Sequence, residues 1–357
     1  MNFKLWINFF CVVSFLLLLF IMSVVIIIDP FFHFSRPNEK IFYNLDFDYE
    51  RYLNNGILRH FSYDAIITGT SMTENFKVSE AENILGGKVI KVPFAGGGFE
   101  EINDNLKRAF KYNNNIEYVI RSLDYTYLIE KPKHRIEEQL PEYLYNDNFY
   151  DDIFYVLNKD ALVFSINCVK NTLEKGGGIT GFDEYGDRTS SFKFGANNVL
   201  NDRNYYSKPV VKKGLTEDKK IFIYNNVYKN VIDLAQNHPE TTFYYFFPPY
   251  SMAYYGELYE KGELEVFLEA EKIAIEIILN QSNIKLFSFG LNKKIVTDLN
   301  NYADSIHYSG CINTQILYWM KNDVGRISKE NYKQYIHDRY KLLMNYDYNQ
   351  LFKQKSN

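Results

Sequence analysis

The apolar pattern of this chain begins as one unbroken block. Leu5 to Ile28 carries no charge, and its only polar members are Asn8, Ser14 and Ser23. About 20 such residues span the hydrocarbon core of a bilayer, so the pattern predicts a membrane helix. A cleaved signal peptide has an apolar core of about 7 to 15 residues followed by small residues. Here Ile-Ile-Ile-Asp-Pro-Phe-Phe follows, which predicts an uncleaved anchor. From Asp29 to Ser62, with Pro30, Pro37 and several aromatics, periodicity is lost, and the segment reads as a stalk packing on the domain.

Beyond it, short apolar runs alternate with helical patterns. Strands are predicted near Ala65 to Thr68, Lys88 to Val92, Tyr118 to Leu123, Thr242 to Phe247 and Lys285 to Phe287. Between them fall helices at Val78 to Leu85, stopped by Gly86 and Gly87; at the amphipathic Phe99 to Tyr112; at Glu217 to Gln236 behind Thr216 as N-cap; and at Leu264 to Leu279. Strand, helix, strand at this spacing implies right-handed crossovers and a mostly parallel sheet, an α/β fold. Pro132 to Thr172 reads as irregular or helical. Gly176 to Gly214 is a polar insertion carrying Phe182, Tyr185, Phe192, Phe194, Tyr205 and Tyr206, whose rings would either line a sugar groove or pin the loop to the core. Ile327 to Tyr346 reads as an amphipathic surface helix with a basic face that would touch anionic lipid or polymer, or simply be solvated. The expected organisation is therefore a tip and anchor at 1–28, a stalk at 29–62, an α/β domain at 63–325 with an insertion at 176–214, and a helix and tail at 326–357.

Composition narrows the function classes. Of 357 residues, 46% are hydrophobic and 24% charged, an ordinary globular balance. A net charge of −4 argues against a general nucleic-acid binder, which needs a basic face to neutralise phosphates. Cys11, Cys168 and Cys311 have no metal-ligand spacing and the six histidines are scattered, so no metal site or cofactor is suggested. The 31 tyrosines and 29 phenylalanines, amid abundant Asn, Lys and Ile, point to a biased genome rather than to a function.

Two segments carry chemistry. In Ala65-Ile-Ile-Thr-Gly-Thr-Ser71 a glycine breaks a strand and leaves Ser71 just past its end, where α/β sheets bind ligands, although Ser and Thr also suit turns and helix caps. Late in the chain, Asp304-Ser-Ile-His307 places a carboxylate three residues before an imidazole, so that on a helical turn Asp304 would accept from the His307 ring and orient it as a base. Ser309 would cap the final helix. After the strand Thr242 to Phe247, Pro248 and Pro249 hold Tyr250 and Ser251 in a rigid turn; Tyr250 would line the pocket, and Ser251 is a rival nucleophile without a visible partner.

An early Gly-Thr-Ser after a strand, with Asp304-Ser-Ile-His307 near the end, resembles the SGNH or GDSL hydrolase superfamily, which has a three-layer α/β/α fold. The resemblance implies Ser71 as nucleophile, His307 as general base and then acid, and Asp304 as its orienter. Ala95-Gly96-Gly97-Gly98 matches the second block of the superfamily, so that amides at Gly97 and Gly98, with that of Ser71, would hold an oxyanion. The third block departs from the pattern: Gly-x-Asn is expected, and this chain has Arg121-Ser-Leu-Asp124. An ionised Asp cannot donate to an oxyanion, so Asp124 would be protonated, orient another group or serve structure. One membrane helix before such a domain resembles the D-alanyl-lipoteichoic-acid transfer proteins and the accessory proteins of alginate O-acetylation. That likeness implies a domain outside the membrane with the N-terminus inside, a membrane-bound O-acyltransferase as partner, and a surface glycopolymer as substrate. The rival expectations are a polymer-binding subunit with a degenerate site and a plain structural anchor in which Ser71, Asp304 and His307 lie apart.

Overall fold

Eight strands occur among the described residues of the computed structural model, which are 3–130 and 140–355. In chain order they are β1 (Phe42–Tyr43), β2 (Ala65–Gly69), β3 (Val89–Pro93), β4 (Tyr118–Ser122), β5 (Gly178–Ile179), β6 (Thr242–Phe247), β7 (Ile284–Ser288) and β8 (Arg326–Ile327). The chain divides into two compact units, Met1–Ser62 with Arg135–Tyr185 and Tyr63–His134 with Gly186–Asn357. Of the stretch 132–172, residues 132–139 lie outside the described residues.

In the second unit six strands form one sheet in the order β3-β2-β4-β6-β7-β8. All pairings are parallel except β7 with β8. The fold is thus α/β with a mostly parallel sheet, as the alternation of patterns predicts. β2, β3 and β4 are buried at every position, the signature of a parallel sheet covered on both faces. The chain runs from β2 outward to β3, then crosses back to β4 on the other side of β2. Connections therefore diverge at the carboxyl ends of β2 and β4, and that reversal of strand order opens the crevice where such sheets bind ligands.

Two charges lie inside this unit's sheet layer. Lys91 of β3 is fully buried and donates to the carbonyls of Glu74 (2.5 Å) and Phe76 (2.8 Å), which holds the turn after β2 in place. Arg121 of β4 donates to Asn230 O at 2.7 Å and Phe99 O at 3.1 Å. The predicted helix from Glu217 forms behind its Thr216 cap, but a π-turn at Tyr228–Ile232 interrupts it and carries the Asn230 carbonyl that receives Arg121.

The C-terminal segment forms an amphipathic helix, but one of its basic residues is interior. The helix Tyr332–Asn345 buries Arg339, whose guanidinium donates to Gly290 O (3.0 Å) and Tyr255 Oη (2.5 Å) and pairs with Glu271 at 3.4 Å. Glu271 also accepts from the hydroxyls of Tyr125 and Tyr335. A basic residue that looks solvated in the pattern is thus the interior anchor of this helix.

In the first unit the helix Phe3–Ile28 is long enough to cross a membrane, about 39 Å at 1.5 Å per residue, and is mostly exposed. The segment after it is more than a stalk. The helix Glu50–His60 buries most of its residues, and β1 pairs in parallel with β5, so the first part of the 176–214 insertion belongs to this unit. Phe182 packs edge-on to Phe61, and Tyr185 is buried with its hydroxyl on Asn54 Oδ1 at 2.7 Å. These rings pin the chain.

The Arg339 cluster gives a stability test. Removing one partner of a buried ion pair strands the other, so Arg339→Met should destabilise the chain by about 3–5 kcal/mol. Pairing it with Glu271→Leu should recover most of that loss in thermal unfolding; no recovery would mean that the two side chains contribute independently.

Candidate active site

Ser71 opens a short 3₁₀ turn, Ser71–Thr73, directly after β2. The turn depends on Gly69, which has φ +146°, a conformation that L side chains rarely adopt. A Cβ there would also lie 2.4 Å from Ser122 Oγ and 2.7 Å from Thr73 Cγ2. The Ser71 turn is held from the far end of the chain, since Tyr308 Oη and Asn313 Nδ2 both donate to Met72 O at 3.3 Å.

Ser71 Oγ stands 2.9 Å from His307 Nε2, and His307 Nδ1 stands 2.6 Å from Asp304 Oδ2. With the proton on Nδ1 donated to the carboxylate, Nε2 is left to accept from the serine hydroxyl. The three groups expected to act together are therefore within hydrogen-bond reach, which excludes the arrangement in which they lie apart. Their backbone is not the expected helical turn. Residues 302–308 form a small hairpin closed by a Tyr302–Tyr308 bridge, and Asp304 Oδ1 accepts from the amides of Ile306 (2.9 Å) and His307 (2.8 Å). Burial pushes the Asp304 carboxyl up, but its bond to the His307 ring, the imidazolium charge and these amides prevail and hold it below the usual aspartate value. Ser309 does begin the next helix, yet its hydroxyl makes no cap bond and contacts Cys311 Sγ at 2.9 Å instead.

Among the described residues Ser251 has no imidazole partner. Its hydroxyl donates to Ser305 O at 2.7 Å and its amide to the same oxygen at 3.1 Å, so it tethers the Asp304 to His307 hairpin to the end of β6. Tyr302 Oη on Pro249 O, at 2.6 Å, is a second tether.

Several expected contact residues face elsewhere. Asp124 is only 4% exposed, and its carboxylate accepts from Thr70 Oγ1 (2.8 Å), Ser122 Oγ (2.8 Å) and Tyr250 Oη (2.6 Å). Burial raises its pKa, against the lowering effect of these three donors. Asp124 and Tyr250 thus satisfy each other behind the serine rather than lining a pocket. The Gly97 amide, expected to face an oxyanion, donates to Phe94 O at 2.8 Å. Among the described residues the amides of Ser71, Gly96 and Gly98 make no such bond, and Gly98 stands at the N-cap of the helix Phe99–Tyr112, whose dipole favours negative charge.

The rest of the insertion closes on this site. Arg188 pairs with Glu74 through two bonds of 2.9 and 2.8 Å, and the Phe192 ring lies 5.7 Å from that of His307. Tyr206 is buried beneath Gly256, whereas Tyr205 is exposed, so only the latter offers a free face. Thr70, Ser122 and Arg188 carry no motif and were not singled out by pattern; Thr70 alone is signalled, as a hydroxyl beside the serine.

No protein-family model and no curated protein matches the chain. One solved structure, described as "a putative platelet activating factor from Streptococcus pneumonia", is similar at 10% sequence identity, over 78% of this chain and 91% of that chain, with a TM-score of 0.37.

The depressed Asp304 pKa fixes a pH signature. A carboxyl whose folded pKa lies below its unfolded value, about 3.9, adds stability above that value and loses it as pH falls through the folded pKa. Asp304→Asn keeps an acceptor for the two amides but loses the charge. Its stability deficit in denaturant melts should be full near pH 7 and shrink below about pH 4. A deficit independent of pH would show that the carboxylate charge contributes nothing.

Proposed function

We propose that this chain is a membrane-anchored serine esterase or O-acyltransferase of the SGNH type that acts outside the cytoplasm on acyl esters of a cell-surface polysaccharide or teichoic-acid-like polymer. The observation that carries the reading is the continuous hydrogen-bonded series from Asp304 through His307 to Ser71. As Ser71 Oγ attacks the acyl carbonyl, His307 Nε2 takes its proton and Asp304 stabilises the imidazolium. The carbonyl oxygen becomes an oxyanion beside the amides of Ser71, Gly96 and Gly98. Collapse breaks the ester bond, His307 returns the proton to the leaving alcohol, and the acyl group stays on Ser71. Water or a sugar hydroxyl, deprotonated by the same imidazole, then takes it.

The polymer, the outward orientation and a membrane-bound O-acyltransferase as partner belong to this proposal and are supported by the superfamily resemblance of the motifs. A second reading, a subunit that holds polymer without turning it over, draws on Asp124. Its carboxylate already accepts three hydroxyls and offers no proton to an oxyanion where the superfamily has an amide.

A fluorophosphonate probe separates the two. The purified full chain should gain one adduct, mapped to Ser71, and Ser71→Ala or His307→Ala should slow labelling by about a thousandfold or more, since triad members act as a unit. Absence of labelling in the wild-type chain would favour the second reading.

A further inference from the structure

The strongest unassigned feature lies in the first unit, beside the end of the apolar span. Asp29 directly follows the last residue of the helix Phe3–Ile28, and its carboxylate accepts from Tyr155 Oη at 2.9 Å. Tyr155 Oη also receives the Phe31 amide at 3.3 Å, His33 Nε2 meets Asp152 Oδ1 at 2.8 Å, and the Phe31 ring lies 5.2 Å from Phe164. These bonds fix two helices, Ile153–Val156 and Lys159–Lys175, to the exit of the span, and both pack against Phe3–Ile28 itself. Apart from a half-buried Ser14, it is only over residues 21–28, its last two turns, that the span has partly or fully buried positions. A helix of about 39 Å exceeds a hydrocarbon core of about 30 Å, so those turns reach the level of the lipid interface.

At that level the two helices and the residues before them present apolar side chains outward. Phe149 is 80% exposed, Tyr150 87%, Phe154 64% and Leu173 84%. Val163, Ile166 and Leu173 are also exposed and recur at helical spacing on one face of Lys159–Lys175, while Ala161, Phe164, Ser165 and Cys168 form its buried side. Exposed Lys159 and Lys170 lie on the same face, interleaved with these apolar residues, on stems long enough to reach headgroups from an apolar surface, whereas the Lys175 ammonium sits 4.8 Å from the Phe42 ring. Asp160 and Glu174 offset the charges of Lys159 and Lys170, so the face carries no net positive charge. Large apolar side chains left exposed in this number mark an interaction site.

We propose that this face is a membrane-interface element: Phe149, Tyr150, Phe154, Val163, Ile166 and Leu173 insert into the acyl boundary of the same bilayer that Phe3–Ile28 crosses. The occupant is lipid because the helices that carry the face pack on the span and are held at its end by Asp29, Tyr155 and His33. Insertion is driven by apolar area and needs no anionic headgroup. The proposal rests on the span crossing the bilayer and is independent of the serine chemistry.

The test uses the full chain in phosphatidylcholine vesicles brominated on the acyl chains. Cys11→Ala and Cys311→Ser remove the exposed thiols, Cys168 is buried, and a fluorescent label is placed singly through Phe10→Cys, Phe154→Cys or Leu173→Cys. At positions 154 and 173 the bromolipid should cost about half of the emission, as for groups at the acyl boundary, with strong quenching at position 10. Quenching at 10 alone overturns the proposal, whether 154 and 173 lie in water or are shielded by a second copy of the chain. Absence of quenching at position 10 would refute the spanning helix and this proposal with it, while fluorophosphonate labelling of Ser71 would stand or fall separately.

Discussion

One buried carboxylate organises the strand ends of the second unit. Asp124 takes hydroxyl donors from Thr70, just past β2, from Ser122, the last residue of β4, and from Tyr250, just past β6. These strands are neighbours in the sheet, so a single side chain ties three adjacent carboxyl ends together. Burying a carboxylate is costly unless its oxygens are satisfied, and charge-assisted bonds of roughly 1.5–3 kcal/mol each offset that cost only while all three donors stay in place. Displacing any one strand end would therefore leave charge unpaired. The residue after Thr70 is Ser71, and the residue after Tyr250 is Ser251, which holds the hairpin bearing Asp304 and His307 through Ser305 O. Both halves of the serine–histidine pair are thus positioned through the same hub, from strand ends rather than from mobile loops.

Much of this was legible in the sequence. β-branched and aromatic runs located the five parallel strands to within a residue or two, because strands covered on both faces are mostly apolar. Gly69 marked the break before Ser71 because no other residue fits that backbone. Asp304 and His307 were legible as a pair, although an aspartate accepting its own downstream amides, rather than a helical turn, brings them together. What pattern could not show is where a polar side chain finds its partner. Tyr250 and Gly97 were expected at the reacting centre and instead bond elsewhere, Tyr250 to the distant Asp124 and Gly97 to a carbonyl three residues back, while Asp124, left open between three roles, bonds to Thr70, Ser122 and Tyr250. Arg121, Lys91 and Arg339 look like solvated charges and are interior, since their carbonyl and hydroxyl acceptors come from other elements.

The helix Glu50–His60 was missed for a related reason. Its centre, Leu53-Asn-Asn-Gly-Ile57, has the composition of a turn. Tertiary contacts outweigh that preference: Asn54 accepts from Tyr185, Asn55 donates to Leu144 O, and Gly56 lies so close to Phe31 O that a Cβ would come within 2.1 Å of it. Here the glycine is required by close approach and not by a turn, and only the fold reveals which.

Asp29 gives the first unit a counterpart to Asp124. It adopts φ +46°, and its carboxylate accepts the amides of His33, Phe34 and Ser35 together with the hydroxyls of Ser35 and Tyr155. An aspartate tolerates that backbone because its short side chain bonds locally, and the cost of left-handed geometry is offset by the amides its carboxylate satisfies, that of the buried His33 among them. The consequence is mechanical. A chain leaving a span through free residues acts as a flexible tether, whereas one that turns at once around a buried carboxylate transmits the orientation of the span to whatever packs on the turn. Tyr155 and Asp152 pack there, so the helices Ile153–Val156 and Lys159–Lys175 are held in a fixed orientation to the helix Phe3–Ile28.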